Sequence, residues 1–576
     1  MAGRPWIPLP IREYGLLGDT RTAALTSSAG SIDWMCWPRF DSQPIFGRLI
    51  DPKHGGCFEI SVLGSTRTAR RYRDRSAILE TTWKARGGEA TLVEVMAMGR
   101  KGSVLVRRLT CEKGNVAGRL VYDPRPGLPG KTSKGSPLVL LTDPELRVRP
   151  GRPTEFELAR GQALMTVLSD RDDPVSAAQA AQLINDTDQW WRDWSDEIRS
   201  GKQYRDVLVR SLINLRLLTY TPTGAPVAAP TTSLPEIIGG GRNWDYRLSW
   251  PRDASVGVAA FLAVGKYKEA REFVKWLVSR ACTGSDPIRV LYDLDGNEAK
   301  RERKLRGVAG YLGSRPVRVG NLAADQHQLD VYGWVVDAVW NLVKVDRKLS
   351  IKGRQALGNY ADWVASNWHQ PDSGLWEVRD TPTHYVHSKL WAWIALDRAA
   401  RTAKALRMNR RRAGAWERER DLIVDDIRTH GFSKDLGSYV RAYGSSEMDS
   451  ALLLLPLTGF DDDPRRVGGT VDAIWKELGA GGPLVYRYPP GQDALPGKEG
   501  AFLPCSFWLL EALLRLGRVD EGLRLFEQVL NLANELLLLP EEIDPATGTY
   551  LGNYPLALSQ AGLVHAVLEV QKVLNA

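Results

Sequence analysis

The spacing of apolar residues changes once along this chain, near residue 203, and that change limits the fold more than any other feature. Before it, apolar residues come in groups of strand length: Ile78 to Ala85, Thr91 to Met98, Ser103 to Cys111, Thr154 to Ala159 and Gln162 to Leu168. Several groups alternate, and Gly, Pro and Asp separate them, as in strands with one face buried. An antiparallel β-sandwich is expected there. Residues 175 to 200 read as a connecting helix with Trp190, Trp191 and Trp194 on or near one face. Beyond it the period is helical, as in Leu523, Phe526, Leu530, Ala533 and Leu537, or Leu563, Val567, Val570 and Leu574. At 576 residues the chain exceeds what one hydrophobic core usually holds. The expectation is a multidomain α and β protein: a sandwich over 1–174, a linker helix over 175–202 and a helical domain over 203–576.

Twelve helices are expected in that last part, starting near Tyr204, Asp253, Lys266, Gln326, Gly353, Tyr385, Arg410, Glu447, Pro464, Phe502, Asp520 and Leu556. Connections after even-numbered helices are short, such as Val264-Gly265-Lys266 and Leu516-Gly517-Arg518, while those after odd-numbered ones are generally long. In an antiparallel array every odd-to-even connection emerges on the same face. Six helical hairpins closing into a double-layered ring would gather the long loops around one mouth.

Two of those loops carry Glu377, in Gly374-Leu375-Trp376-Glu377-Val378-Arg379, and Glu541, in Pro540-Glu541-Glu542-Ile543-Asp544-Pro545. Paired carboxyls are what glycoside hydrolysis uses, one protonating the leaving oxygen and the other activating water. Inversion needs about 6.5 to 9.5 Å between them, to admit that water. A third loop runs from Arg242 through Asn243, Trp244, Asp245, Tyr246 and Arg247 to Trp250, Pro251, Arg252 and Asp253. It mixes aromatic faces with carboxylates and guanidiniums, which suits a pyranose: hydrogen bonds for its hydroxyls and a platform for its C–H face. Taken alone, Arg252 and Asp253 could equally cap a helix.

These segments, together with Tyr14 to Asp19, Gly30 to Trp34, Pro38 to Ser42 and Gly313 to Arg318, resemble glycoside hydrolase family 15 over nearly the whole chain, in order. That family includes glucoamylases, glucodextranases and bacterial or archaeal trehalases. The resemblance implies a β-sandwich followed by an (α/α)6 barrel, and an inverting, exo-acting release of β-glucose from a small α-glucoside such as trehalose or a malto- or isomalto-oligosaccharide. By motif match it implies Glu377 as general acid and Glu541 as general base. Trp250, Arg252, Asp253 and Arg487 fall where the family binds the terminal glucose, and Trp376, Arg315, Asp245, Glu499 and Glu542 are further substrate-binding or supporting candidates. No metal or organic cofactor is implied. Two departures lie near the base loop: Pro540 stands where the family often has Ser, and the segment Asn553 to Gln560 replaces its more usual pattern. The alternative reading is a non-catalytic carbohydrate-binding or regulatory protein on the same fold.

Other signals point elsewhere only weakly. Lys plus Arg exceed Asp plus Glu by 77 to 68, but the basic residues are dispersed apart from short clusters at Lys300 to Arg306 and Arg407 to Arg412, so no nucleic-acid partner is expected. No apolar run approaches the ~20 residues that span a membrane. Five scattered cysteines (Cys36, Cys57, Cys111, Cys282, Cys505) fit neither a disulfide framework nor a zinc site, and a cytoplasmic setting is expected. Gly127 to Thr132 resembles a phosphate loop with Arg125 where its first glycine should be. Gly239 to Gly241 reads as a turn, and His384 and His387 lack a third spaced metal ligand. The loop holding Asp33, Trp34, Arg39 and Asp41 is expected to pack on the helical domain or to reach its mouth.

Overall fold

The computed structural model describes residues 6–130, 138–280, 288–491 and 495–575; Cys282, the end of the Gly127 to Thr132 segment and the first five residues lie outside these. Twelve strands occupy the amino-terminal part: β1 (Tyr14–Gly18), β2 (Ala23–Ser27), β3 (Ser31–Cys36), β4 (Pro44–Phe46), β5 (Cys57–Val62), β6 (Thr66–Tyr72), β7 (Leu79–Ala85), β8 (Gly88–Met96), β9 (Val104–Asp123), β10 (Leu138–Asp143), β11 (Thr154–Ala159) and β12 (Ala163–Asp170). They pair antiparallel in the order β1-β2-β3-β5-β9-β8-β7-β6, with β4, β10, β11 and β12 branching from this path.

Strand β9 joins two sheets. Its first half pairs with β8 and β12, placing Leu109 opposite Leu92 and Leu164, and its second half pairs with β5 and β11, placing Leu120 opposite Ile60 and Thr154. Sequence periodicity ends this strand at Cys111. The backbone instead passes through Gly114 with φ 62°, where a Cβ would lie 2.1 Å from the Gly87 carbonyl oxygen, and continues into Val116, Leu120 and Tyr122. Leu16, Ile32, Phe58, Ile60, Leu92, Leu109 and Leu120 are inaccessible to solvent and share one core.

Helix α1 (Ala177–Asp196) starts at a Ser176–Gln179 capping box and covers an outer sheet face, where Ala180 and Ile184 meet Val95, Val106 and Val167. Twelve further helical elements follow, eleven of them starting within a few residues of where periodicity predicts, while the eighth, expected near Glu447, starts at Leu455. They are α2 (Arg205–Leu217), α3 (Pro251–Ala263), α4 (Tyr267–Arg280), α5 (Asp330–Asp346), α6 (Ile351–Asn367), α7 (Val386–Ala405), α8 (Arg410–Asp426), α9 (Leu455–Thr458), α10 (Pro464–Leu478), α11 (Leu503–Arg515), α12 (Val519–Leu530) and α13 (Ala557–Leu574). The α9 element is short and follows a 3-10 segment, Ser450–Leu454. Pro456 follows there at once, and its missing N–H suits only a first helical turn.

Two kinds of helix alternate. Helix α7 buries every residue from Val386 to Asp397, and α11 every residue from Leu503 to Leu514, whereas α8 buries only Trp416 and Ile423. Among the enclosed helices α3 packs on α5, α5 on α7, α7 and α11 on the Ser450–Leu454 segment, α11 on α13 and α13 on α3. The others lie against them, α2 on α13, α4 on α3, α8 on α7 and α12 on α11. Short connections follow the enclosed helices and long loops precede them, so all the long loops emerge together.

The two parts share a continuous core. Trp34 is fully buried and donates its indole N–H to the Pro230 carbonyl at 2.7 Å, so its strand packs on the helical domain. Cys36, Cys57, Cys111 and Cys505 are buried and free, and no described helix is long and apolar enough to cross a membrane.

Candidate active site

The loop between α2 and α3 is built as a strand pair, Thr232 opposite Asp245 and Pro235 opposite Asn243, turned through Gly239 with φ 77°. It leads Tyr246 and Trp250 to the mouth of the enclosed helices. The loop between α6 and α7 carries Glu377 with φ 58°, a left-handed backbone that costs a non-glycine residue about 1–2 kcal/mol. The Gln326 side-chain amide donates to the Glu377 carbonyl at 3.1 Å and keeps it there. The loop between α12 and α13 carries Glu541.

Glu377 receives the Trp250 indole N–H at 2.7 Å and an Arg252 guanidinium N–H at 3.3 Å, both on Oε1. Its side chain is 24% exposed and lines the pocket, and no described residue donates to Oε2. Arg252 is fixed from four sides, donating also to Asp253 at 3.0 Å, to Gln328 at 3.0 Å and to the Leu375 carbonyl at 3.2 Å. Trp376 donates to Asp449 at 2.8 Å and meets Tyr488, Phe502 and Trp508.

Glu541 is fully buried and accepts on both oxygens, from the Tyr246 hydroxyl at 2.6 Å and from the Asn553 backbone N–H at 2.8 Å. Gly552 makes room for it, since a Cβ there would stand 2.3 Å from Glu541 Oε2. Around it Glu236, Glu499 and Glu542 face Arg242 and Arg487. Arg487 donates to Glu499 at 2.9 and 2.8 Å and to Glu542 at 2.8 Å, and Arg242 donates to Glu499 at 2.9 Å. Two guanidiniums among four buried carboxyls leave excess negative charge. Burial first, and then repulsion from Glu236, hold the Glu541 pKa above the usual carboxylate range, against the pull of Arg487 and the two hydrogen bonds. Burial raises Glu236 and Glu542 as well.

Glu377 and Glu541 line one cavity of ≈ 930 Å³, its open mouth included. Trp250, Arg252, Asp253, Arg487 and Trp376 line it too. The remaining candidates stand elsewhere. Glu499 and Glu542 lie behind Arg487, and Asp245 is locked in a buried pair with Arg247 at 2.8 Å, a strut whose arginine also donates to the Ser42 carbonyl of the sheet part. Arg315 is exposed and donates to the Ala309 carbonyl at 3.1 Å, outside the cavity wall. Pro540 and Gln560 are also outside it, Gln560 being buried against Asn214. Burial, and then the charge of Arg252, push the His387 pKa down to about 3, and His384 stacks on Tyr443.

Wall residues to which sequence reasoning assigned no role include Glu236, Asn321, Trp334, Arg379 and Trp508. Arg379 lies two positions from Glu377 and could have been read from that motif. Glu236 had no signal, because a carboxylate beside Ile237 and Ile238 reads as an ordinary strand end. The carboxylates of Glu236, Glu499 and Glu542 come within 4.8 Å of one another, close enough to hold an ion. Arg487 already supplies the cation there, so a divalent metal does not fit this donor set.

A family model described as glycosyl hydrolases family 15 matches residues 202–568, and one described as trehalase-like, N-terminal matches 4–136. A trehalase of Mycolicibacterium smegmatis is 35% identical over 97% of this chain and 91% of its own length. A trehalase of Thermoplasma volcanium is 33% identical over 98% and 94%. Among solved structures, a bacterial glucoamylase complexed with acarbose superposes with a TM-score of 0.71 at 14% identity, covering 99% of this chain and 96% of that one. This last likeness concerns the fold, which has an amino-terminal sheet-rich part and a helical carboxy-terminal part.

Proposed function

Since this chain belongs to glycosyl hydrolases family 15 and is a glycoside hydrolase, we propose that it cleaves small α-glucosides by inversion, exo-acting, with trehalose as first substrate and malto- or isomalto-oligosaccharides as second. The trehalase relatives, aligned over nearly the full chain, support that order. In this reading the chain divides into a β-sandwich (1–174), a linker helix (175–202) and an (α/α)6 barrel (203–576). The cyclic packing of α3, α5, α7, the α9 segment, α11 and α13 supports the barrel. A cytoplasmic setting accords with four buried free thiols.

One observation carries the division of labour between the acids. Both donors to Glu377 bind Oε1, leaving Oε2 to hold a proton and pass it to the glycosidic oxygen. Both oxygens of Glu541 accept hydrogen bonds, as an ionised base requires. Water attacks the anomeric carbon while Glu541 takes its proton. In the same step the C–O bond to the leaving sugar breaks as Glu377 protonates its oxygen, and Trp250, Arg252, Asp253 and Arg487 hold the glucose unit.

Glucose release from trehalose, maltose, isomaltose, kojibiose and soluble starch tests this. Trehalose is expected to be cleaved fastest, and Glu377→Gln and Glu541→Gln to lower kcat by about 10²–10⁴-fold while sugar binding survives. Turnover unchanged in either variant overturns the assignment, and binding without turnover in the unaltered protein favours a non-catalytic role.

A further inference from the structure

The enclosed helices run from the active-site cavity to a second cavity at their other end. Trp250, Arg252, Asp253 and Val256, at the start of α3, line the first; Ser255, Val256 and Ala259 line the second, together with the later turns of α5, α7, α11 and α13. Val256, Trp334, Trp508 and Leu558 line both and form a shared floor. The far cavity measures ≈ 1640 Å³ with its open mouth and receives residues from α3, α5, α7, α9, α11 and α13.

Its wall carries charges of both signs, Lys344, Arg398, Arg401 and Arg515 beside Asp337, Glu511 and Glu569, and most of them are already paired. Arg398 is committed to Asp337 at 3.0 Å and to the Thr458 carbonyl at 2.8 Å, and Arg515 to Glu569 at 2.8 Å. Asn341 braces Asp337 at 2.7 Å. Glu511 is only 7% exposed, lines the cavity and accepts no hydrogen bond from any described residue. A buried carboxyl without a partner costs free energy unless something in the cavity meets it. Burial and the nearby Glu569 push its pKa up to about 8, so it is mainly a neutral acid at pH 7, able to donate and accept. The half-buried Trp340 lines the same cavity, with the Lys344 ammonium 6.0 Å from its ring centroid. An anion would meet Asp337 and Glu569, and a cation would meet Lys344, Arg398, Arg401 and Arg515. A polyol meets an aromatic platform with donors and acceptors of both kinds.

We propose that this far cavity is a second binding site for a small neutral saccharide, with Trp340 as its stacking face and Glu511 and Asn341 as its polar anchors. Because Trp508 belongs to the shared floor and stands 6.1 Å from the Trp376 ring, a ligand there is felt in the active-site cavity.

Calorimetric titration of the full chain with glucose tests the site. Two classes of binding site are expected. Trp340→Ala and the near-isosteric Glu511→Gln each weaken one class by about tenfold or more and leave trehalose turnover without added glucose unchanged. The noncompetitive part of glucose inhibition disappears with that class. Trp250→Ala weakens the other class, so failure of the active-site reading is distinguished from failure of this one. A single class in the unaltered protein, a second class untouched by both far-cavity variants, or its saturation by sulfate instead of glucose overturns the proposal.

Discussion

Tyr246 and Trp250 meet edge to face with ring centroids 5.5 Å apart, and each donates a hydrogen bond to a different one of the two cavity acids. Two residues four positions apart in one loop thus set both Glu541 and Glu377, although the acids themselves come from loops 164 positions apart in the chain (541 − 377). A rigid aromatic pair with few rotatable bonds is well suited to holding two carboxyls at a fixed spacing.

The base should titrate high. In the proposed mechanism Glu541 must be ionised to act, so kcat/KM is expected to fall as pH drops through its pKa, and a raised pKa places that acid limb above the ordinary carboxylate range. The Tyr246 hydrogen bond lowers this pKa and Glu236 raises it. Tyr246→Phe is therefore expected to move the limb to higher pH and Glu236→Gln to lower pH. A pH profile of kcat/KM for the three proteins checks the opposed shifts.

Arg487 compensates several acids at once. Arg487→Met leaves Glu542 and Glu236 without a guanidinium within hydrogen-bond reach, and breaking one side of a buried ion pair costs about 3–5 kcal/mol. Urea unfolding at pH 7.5 should show a loss of that order, reduced at lower pH where the carboxyls take up protons.

Gly552 tests how tightly Glu541 is placed. A Cβ at 2.3 Å from Oε2, on a backbone of φ 71°, displaces the carboxylate from Tyr246 and Asn553. A misplacement of ~1 Å can cost about 10²-fold, so Gly552→Ala is expected to lower kcat/KM by that order with little change in the melting temperature of the sheet-rich part.

Asp372 should make folding pH-dependent. Burial raises its pKa to about 7, and it accepts the Leu329 N–H at 2.8 Å ahead of α5. A folded-state pKa above the unfolded value of about 3.9 means that stability is fully present below the latter and is lost as pH rises through 7. Asp372→Asn keeps the hydrogen bond and removes the titration. Its melting temperature should fall less than that of the unaltered protein between pH 6 and 8.

Helical periodicity revealed eleven of the twelve later helices because their buried faces repeat regularly, and it blurred at Ser450 to Thr458, where apolar residues run unbroken up to Pro456. Glu377 and Glu541 could be read from their loops because each stands in a motif with aromatic or acidic neighbours. Glu236 could not, since its importance arises only when Arg242, Arg487 and Glu541 arrive from three other stretches of chain. The same composition misled for Asp245, whose partner Arg247 turns it into a tie between the two parts of the fold.

Proton NMR of the first glucose formed from trehalose, followed before mutarotation, tests most directly whether Glu377 and Glu541 act across one water. β-Glucose as the initial anomer, accompanied by an equal amount of α-glucose from the leaving unit, is the expected result. Release of α-glucose alone would contradict the mechanism.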